Sequence, residues 1–493
     1  MNRANSSYHE KFLILILGFL LIRLAGLVNL PLGLHGDEAQ YWAWSKELSW
    51  GYFTKPPMIA WVIAATTSVF GDAEWAIRIS SPILHAMTAY VIFRTTKFLF
   101  DEKTGFWAGV AYFLMPAVWL STGVASTDVP LLLCWAVALN AWVHLREHSS
   151  WFRAIQLGLA LGFGFLSKYA LLLFFPALMI PVIFDSKTRA ALIQVKGLVA
   201  ALVFAALITP NMLWNLNNDF ATVTHTAANA NIQPGIPFHP VMLFTFWFSQ
   251  PGVFGPVTFV LLILAIISAL GRKPASPGFW LSFFVLSPLL IISLQALFSR
   301  ANANWAVTAY VAGSILIAHY GVTTVSRLKL WLTGGIAAQT AVCLALAAIV
   351  LTPAWTNAVG LANAVKHMRA WPETVTYLEQ VIAEGHHGQT YRYVALDKRI
   401  IFYDLTYYGL GETLPLKMWM HKSRPQNQAE LTAPLPAGDG PYLVINYEDV
   451  QDELLEDFER LEPLRPIHIN LGGGIERSLR LWAGYGYTPT TTR

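Results

Sequence analysis

The sequence predicts a mainly α-helical polytopic membrane protein with a C-terminal soluble α/β domain. Two observations of composition lead to the membrane assignment: 55% of the 493 residues are hydrophobic and only 13% are charged. Soluble globular chains carry about 25% charged residues, so roughly half of the expected charge is missing. The 19 Trp, 18 Tyr and 29 Phe are typical of a protein with aromatic belts at both membrane interfaces.

Apolar runs long enough to cross a bilayer recur along the first two thirds of the chain. A helix needs about 20 such residues to cross the hydrocarbon core. We predict about eleven spans, at 12–31, 77–99, 104–121, 127–145, 153–167, 169–184, 190–213, 240–269, 278–297, 303–320 and 329–351. The stretch 153–184 is either a broken pair of helices or a re-entrant hairpin. The first run lacks a small-residue cleavage site, so we expect an uncleaved first helix.

The segment 56–70 is apolar but only about 15 residues long, and it decides the sidedness of everything after it. If it does not cross, the N-terminus and alternate connections carry these basic residues: Arg3, Lys11, Arg94, Lys97, Lys103, Arg146, Arg153, Lys187, Arg189, Lys196, Arg272, Lys273, Arg327 and Lys329. The opposite connections carry Lys46, Lys55, Arg78, Lys168 and Arg300. The positive-inside rule places the larger set in the cytoplasm. We therefore predict that 56–70 is an interfacial or re-entrant helix on the far side.

This topology puts the loop 32–76, the connection 214–239 and the tail after 353 outside the cytoplasm. We predict a membrane module over 1–353 and a soluble domain over 354–493, with strands at 393–396 and 442–447 and helices at 372–383 and 450–460. Gly472-Gly473-Gly474 is interpreted as a turn, because no Lys-Ser/Thr follows it. Cys134 and Cys343 lie in separate apolar runs, a poor setting for a disulfide or a metal site.

Two adjacent carboxylates follow the first span. They lie in the loop sequence His35-Gly36-Asp37-Glu38-Ala39-Gln40-Tyr41-Trp42. A carboxylate near the interface can act as a general base toward an acceptor hydroxyl. Asp37 is equally a good N-cap for a helix over the following residues. The spacing alone leaves both interpretations open.

Basic side chains on the same predicted face are candidates for binding a lipid-linked phosphate. Lys55 follows Tyr52-Phe53-Thr54 and either holds a phosphate or snorkels to the interface. Lys168 interrupts about 30 apolar residues and has no acidic residue within ten positions. Such a cation needs an anion from elsewhere, although a turn lysine that reaches water is the alternative. Arg300 is a second candidate for phosphate.

Carboxylates on this face can also bind a divalent cation, and Asp37, Glu74 and Asp128 are the candidate ligands. For Asp128 an ordinary helix start is the competing interpretation, because Ser126 and Thr127 precede it and Pro130 follows.

Taken together, these segments resemble the bacterial polyprenyl-phosphate-sugar-dependent glycosyltransferases of the family 39/83 type. That family includes protein O-mannosyltransferases and lipid A aminoarabinose transferases. The resemblance runs through 12–350 and rests on Gly36-Asp37-Glu38-Ala39-Gln40-Tyr41-Trp42, on Tyr52-Phe53-Thr54-Lys55-Pro56-Pro57 with the stretch 71–78, on Thr127-Asp128-Val129-Pro130, and on Gly164-Phe165-Leu166-Ser167-Lys168. The chain departs from the family pattern at Tyr169, where many members have a small residue.

The resemblance implies a GT-C fold in the bacterial inner membrane, with the active site and the C-terminal domain facing the periplasm. It implies inverting transfer of a sugar from a polyprenyl phosphate to a periplasmic acceptor, most simply lipid A, lipopolysaccharide or another envelope glycan. Protein O-mannosyltransferase-like activity and a lipid-linked-sugar flippase are the alternatives. A divalent cation is a possible cofactor, and no nucleic-acid partner is expected. The implied residues are Asp37 and Glu38 for catalysis, and Lys168, Lys55, Tyr52, Arg78, Arg300 and Asp128 for the substrates.

Overall fold

The computed structural model describes residues 7–230, 238–324, 326–447 and 456–489. The chain divides into two compact units, which we call the helical unit and the mixed unit. The helical unit comprises Met1–Asn29, Lys55–Gly71 and Arg78–Ala347. The mixed unit comprises Leu30–Thr54, Asp72–Ile77 and Ala348–Arg493.

The helical unit consists of apolar helices joined by short connections. Their bounds are Tyr8–Val28, Met58–Phe70, Ser80–Leu99, Glu102–Phe113, Pro116–Ser121, Asp128–Glu147, Trp151–Ser167, Phe174–Phe184, Ser186–Ile193, Val195–Asn217, Ala221–Ala230, Pro240–Phe254, Pro256–Leu270, Pro277–Phe298, Ala309–Thr323 and Ser326–Leu351. Two 3-10 helices, Tyr169–Leu173 and Ala303–Ala306, precede helices of this unit. The short helix Glu74–Arg78 and the last helix straddle the boundaries of the two units.

The chain is a multi-pass membrane protein. Among the described residues, six helices are long and apolar enough to cross a bilayer: Tyr8–Val28, Glu74–Leu99, Asp128–Glu147, Val195–Asn217, Pro277–Phe298 and Arg327–Leu351. The number rises to eight if each of two bent helix pairs is one span. The predicted number of about eleven is therefore not confirmed. The run 240–269 shows why, because it divides into two helices that meet at an angle of 107°.

The segment 56–70 forms the helix Met58–Phe70, of 13 residues. At 1.5 Å per residue it is about 20 Å long, whereas the hydrocarbon core is about 30 Å thick. Its length is consistent with the prediction that it does not span, and its membrane placement stays a prediction. The stretch 153–184 is divided: Trp151–Ser167 ends before Lys168, and Phe174–Phe184 begins after a 3-10 turn.

Two glycines on one face of Trp151–Ser167 let this helix lie close to Val195–Asn217. A Cβ at Gly158 would be 2.5 Å from the Ala200 carbonyl oxygen. A Cβ at Gly162 would be 2.7 Å from Leu207 Cδ1. Small residues four apart are the common means by which membrane helices approach closely. This packing fixes the helix that carries Lys168 at its C-terminal end.

The mixed unit contains the six-stranded sheet of the molecule's C-terminal region. Its strands are β1 Val394–Leu396, β2 Leu416–Met418, β3 Tyr442–Asn446, β4 Phe458–Pro463, β5 Ile467–Gly472 and β6 Ile475–Tyr487. The strand order is β2-β1-β3-β6-β4, with β5 paired to β6. β1 is parallel to β2 and β3, and β6 is antiparallel to β3, β4 and β5. The predicted C-terminal α/β architecture is confirmed.

The helices of the mixed unit are Gly36–Lys46, Pro353–Ala358, Ala362–Val365, Trp371–Glu384, Arg399–Tyr407, Leu410–Thr413 and Gln428–Thr432, with a 3-10 turn at Lys366–Met368. The predicted helix at 450–460 is wrong at its end, because residues 458–460 open β4. Phe458 is buried there opposite Tyr487, and this cross-strand contact favours the strand. Residues 450–455 lie outside the described part of the chain. The three glycines at 472–474 all have positive φ and form the predicted turn.

The first loop folds with the C-terminal region rather than by itself. The Gly33 N–H donates to the Met368 carbonyl at 2.8 Å, and the Phe53 N–H donates to Gln428 Oε1 at 2.9 Å. Backbone polar groups that lose water need such partners. Residues 30–54 therefore belong to the same compact unit as residues 348–493.

Candidate functional site

Asp37 lies in the first turn of the helix Gly36–Lys46, and it is not the residue that caps this helix. The N-cap is His35, whose Nδ1 accepts the Asp37 N–H at 3.2 Å. Glu38 Oε2 accepts the His35 N–H at 3.0 Å and completes a capping box. The capping interpretation of Asp37 is therefore wrong, since its neighbours on both sides serve that purpose. Glu38 is only 2% exposed, whereas the Asp37 side chain is 43% exposed.

An arginine of the C-terminal region holds Asp37. Arg399 Nη1 lies 3.2 Å from Asp37 Oδ1, and the same nitrogen donates to Gln40 Oε1. Gln40 is buried and donates in turn to Thr54 Oγ1 at 3.1 Å. The result is a carboxylate that is accessible yet fixed in position by a cation. We call Asp37, Arg399, Gln40 and Thr54 the Asp37 cluster.

Gly36 is required by a close helix crossing behind Asp37. A Cβ at this position would lie 2.3 Å from Ile400 Cγ2 and 3.2 Å from Asp404 Oδ2. Asp404 is fully buried, and neither of its oxygens has a hydrogen-bond partner among the described residues. Burial raises the pKa of the Asp404 carboxyl well above its usual value; the charge of Arg477 opposes this rise, and the charges of Glu38 and Asp37 add to it.

A second ion pair fastens the far end of the same helix. Lys46 Nζ lies 2.5 Å from Asp72 Oδ1, which also accepts the Trp42 indole N–H at 2.8 Å. Partial burial would raise the pKa of Asp72, but the hydrogen bonds from Lys46 and Trp42 outweigh it and lower that pKa. Nearby, Tyr408 Oη donates to Glu74 Oε1 at 3.4 Å.

Tyr52 serves the packing of the mixed unit. Its ring stacks on Trp44 with centroids 4.5 Å apart, and only 3% of the residue is exposed. Its hydroxyl lies 2.9 Å from the Trp44 carbonyl oxygen and accepts the Ser49 N–H at 3.1 Å. Burial raises the pKa of Tyr52 to about 12. A hydroxyl so engaged has a structural function, and its predicted contact with substrate stays a prediction.

Lys168 has an acidic partner, contrary to the isolated cation that the sequence predicted. Its Nζ lies 2.6 Å from Asp128 Oδ1, and Asn304 donates to Asp128 Oδ2 at 2.7 Å. The side chains of Lys168 and Asp128 are 21% and 12% exposed. The partner lies 40 positions away in sequence, so a search of neighbouring residues could not find it. We call Lys168, Asp128 and Asn304 the Lys168 cluster.

Anion binding by the Lys168 cluster stays a prediction. An ammonium group has three donors, and Asp128 accepts one of them. Asp128 is the first residue of the helix Asp128–Glu147, so the predicted helix start is correct and the carboxylate is engaged as well. The adjacent Tyr169 hydroxyl donates to Asn211 Oδ1 at 3.0 Å and accepts from Asn215 Nδ2 at 3.2 Å.

The other predicted cations lie in the helical unit in different settings. Lys55 is half-buried just before the helix Met58–Phe70. Arg78 is 1% exposed at the end of Glu74–Arg78. Arg300 is exposed in the connection before Ala303–Ala306. Their contact with a phosphate stays a prediction.

The predicted metal site also stays a prediction, but two of its three carboxylates already have cationic partners. Asp37 pairs with Arg399, and Asp128 pairs with Lys168.

Sequence reasoning missed Arg399, Asn304 and Asp404. Asn304 lies four residues after Arg300, in the stretch 299–305 that is polar and aromatic in sequence, so this stretch gave a signal. Arg399 is 362 positions from Asp37, and nothing local distinguishes it from other surface arginines. Asp404 occupies a buried helix position where hydropathy alone would place an apolar residue.

Comparison with known proteins gives both sequence and structural relatives. Residues 54–214 match the model of the dolichyl-phosphate-mannose-protein mannosyltransferase family. The chain is 38% identical over 312 residues to the lipid A galacturonosyltransferase RgtD of Rhizobium johnstonii, a match that covers 62% of this chain and 64% of that protein. It is 30% identical over 221 residues to the undecaprenyl phosphate-alpha-4-amino-4-deoxy-L-arabinose arabinosyl transferase 2 of Pseudomonas fluorescens, covering 40% and 37%. The matches thus span less than two thirds of either relative.

The structural likeness extends over nearly the whole chain. The crystal structure of ArnT from Cupriavidus metallidurans bound to undecaprenyl phosphate aligns with a TM-score of 0.67 at 15% identity. The alignment covers 96% of this chain and 98% of that one. The two proteins therefore share a fold.

Proposed function

We propose that this chain, which belongs to the GT-C family of glycosyltransferases, transfers one sugar from a polyprenyl-phosphate donor to lipid A. The name of the Rhizobium relative supports lipid A as acceptor, and the name of the Pseudomonas relative supports an undecaprenyl-phosphate-linked donor. The observation that carries the proposal is an accessible carboxylate, Asp37, that Arg399 holds in place.

Asp37 is the proposed general base. The acceptor hydroxyl attacks the anomeric carbon of the donor sugar, and its proton passes to the Asp37 carboxylate. A bond forms between the acceptor oxygen and the anomeric carbon as the bond from that carbon to the phosphate oxygen breaks. In-line attack inverts the anomeric configuration. Arg399 is the proposed positioning residue, since it contacts the base and not the reacting atoms. Glu38 supports the same helix turn through its capping bond.

Lys168 is the proposed cation for the donor phosphate. Charge accumulates on the phosphate oxygens as the anomeric bond breaks, and a fixed ammonium in a largely dry setting stabilises it. Asp128 holds the lysine in one orientation, and Asn304 donates in turn to the other oxygen of Asp128. A lipid phosphate is a good leaving group, so the reaction needs little acid assistance on that side.

We further propose that this chemistry takes place on the periplasmic side of the bacterial inner membrane. The support is the asymmetry of Lys and Arg along the connections, which favours a cytoplasmic location for the opposite face. A reporter fused after residue 353 should give a periplasmic signal, and a cytoplasmic signal would contradict this orientation.

A protein hydroxyl is the second candidate acceptor, because residues 54–214 match a family described as protein mannosyltransferases. The 38% identity over 312 residues to a lipid A enzyme favours lipid A. A flippase would move the donor lipid without releasing its sugar, so the same assay separates it from a transferase.

The test is an in vitro transfer assay with purified chain in lipid nanodiscs. The donors are synthetic undecaprenyl phosphates carrying galacturonic acid or aminoarabinose, and the acceptors are lipid A and a Ser/Thr-rich peptide. Mass spectrometry follows addition of one sugar. We expect Asp37→Asn to lower the rate by about 10²-fold or more, the usual contribution of a general base.

Asp72→Asn is the matched control, because Asp72 is also an aspartate paired with a cation in the mixed unit. It should keep near wild-type activity. Equal rates for wild type and Asp37→Asn would refute the assignment of the base. Sugar transfer to the peptide alone would replace lipid A by a protein acceptor.

A further inference from the structure

Three side chains with metal-binding groups meet on the mixed unit, outside the Asp37 cluster. They are His386, His387 and Glu462, and one ligand atom from each lies within 4.8 Å of the others. In the part of the chain that the structure describes, this is the single grouping of three or more His, Cys, Asp or Glu that is this close. The proposed glycosyl transfer makes no use of it.

The backbone brings the two histidines together through a tight turn. The His386 N–H donates to the Gln389 carbonyl, and the Gln389 N–H donates to the His386 carbonyl, each at 2.9 Å. His387 and Gly388 lie between these two paired residues. Their φ angles are 50° and 75°, which is the pattern of a two-residue hairpin turn. The turn therefore presents both imidazoles beside β4, the strand that carries Glu462.

The distances suit a small tetrahedral ion. His386 Nε2 and His387 Nε2 lie 3.5 Å and 2.9 Å from Glu462 Oε2. Bonds of about 2.0–2.1 Å to a tetrahedral ion separate neighbouring ligand atoms by about 3.4 Å. His386 Nε2 and Glu462 Oε2 already have about that separation. His387 Nε2 is closer to Glu462 Oε2 than this, so the His387 ring has to move away by about 0.5 Å. Its side chain is 67% exposed, which permits the movement.

Two of the three candidate ligands have an outer partner that orients them. His386 Nδ1 lies 2.8 Å from the Tyr485 hydroxyl, so an N–H on Nδ1 leaves the Nε2 lone pair for a metal. Arg460 Nε lies 3.2 Å from Glu462 Oε1, which leaves Oε2 facing the histidines. The Arg460 guanidinium lies over the Tyr485 ring at 4.2 Å from its centroid, which connects the two outer partners.

We propose that His386, His387 and Glu462 form a site for a divalent transition-metal ion, with zinc as the best fit. Two imidazoles and one carboxylate are a known zinc ligand set, whereas magnesium and calcium prefer oxygen ligands. The bound ion would connect the turn at 386–389 to β4. Its fourth position would hold water or an anionic ligand.

The test measures zinc binding to the full chain, purified without a histidine tag, freed of metal by chelator and kept without sugar donor. Zinc affinity is determined by competition with a chromophoric chelator, and the unfolding temperature is recorded with zinc and with magnesium. We expect a zinc site that His387→Ala and Glu462→Gln each weaken at least about tenfold. We also expect zinc, and not magnesium, to raise the unfolding temperature of the wild type.

His468→Ala is the matched control, because His468 is another exposed histidine of this unit. It lies 3.8 Å from Glu476, and no third ligand joins the two among the described residues. It should bind zinc like the wild type. Equal zinc affinity in the wild type, His387→Ala and Glu462→Gln would overturn the proposal, as would equal stabilisation by magnesium. His387 and Glu462 are both partly or largely exposed, so both variants should fold. The result is independent of glycosyl transfer.

Discussion

Replacing Gly158 by alanine tests whether close helix packing fixes the position of Lys168. The new Cβ would lie 2.5 Å from the Ala200 carbonyl oxygen and 2.7 Å from Val203 Cβ. Ordinary contacts are 3.4–4 Å, so Trp151–Ser167 and Val195–Asn217 would have to separate by about 1 Å. Overpacking of this kind costs about 1–3 kcal/mol.

Alanine also stabilises the helix relative to glycine, and this gain has to be subtracted from the cost of overpacking. It favours a helix over glycine by about 1 kcal/mol, so the net loss of unfolding free energy at Gly158 is about 0–2 kcal/mol. Gly18 supplies the matched control, because no atom of the described residues lies within 4 Å of a Cβ placed there. Gly18→Ala keeps the gain without the clash. The two variants should therefore differ by about 1–3 kcal/mol, with Gly158→Ala the less stable.

The assay is reversible unfolding of the purified chain in mixed micelles by titration with SDS, followed by circular dichroism. Donor binding is measured in parallel, since a displaced helix should also shift Lys168 and weaken binding of an undecaprenyl phosphate. If Gly158→Ala and Gly18→Ala are equally stable and bind the lipid equally well, the packing argument is refuted.

Two further predictions concern the charged groups. Lys168→Ala should lower kcat/KM for sugar transfer by about 10²–10³-fold. The control Lys187→Ala removes an exposed lysine paired with Glu147 and should change kcat/KM less than twofold. Equal effects of the two substitutions would refute the assignment of Lys168 to the donor phosphate. The raised pKa of Asp404 means that the folded protein holds this proton more tightly than the unfolded chain. The free energy of unfolding of the wild type should therefore fall as pH rises from about 4 through the folded pKa. Asp404→Asn should remove this fall from the plot of unfolding free energy against pH. Identical slopes for the two proteins would contradict the argument from burial.

The sequence predicted those features that depend on near neighbours in the chain. Low charge and long apolar runs identified a multi-pass membrane protein, and two short apolar runs in the C-terminal region identified β1 and β3. The motif around Asp37 was visible because two adjacent carboxylates follow an apolar span. Lys168 was visible because it is a charged residue within an apolar stretch. The number of spans was not predictable in the same way, because hydropathy does not register a bend of 107° inside an apolar run.

The sequence by itself determined which residues are unusual for their surroundings: a carboxylate pair after the first span and a lysine within an apolar stretch. Only the tertiary structure decided which residues these side chains contact. It pairs Lys168 with Asp128 over 40 positions and Asp37 with Arg399 over 362. It also assigns the helix cap to His35 and Glu38, which leaves Asp37 accessible. The physical reason is that a charge acts over a few ångströms of space, whereas sequence patterns report only on the nearest residues along the chain.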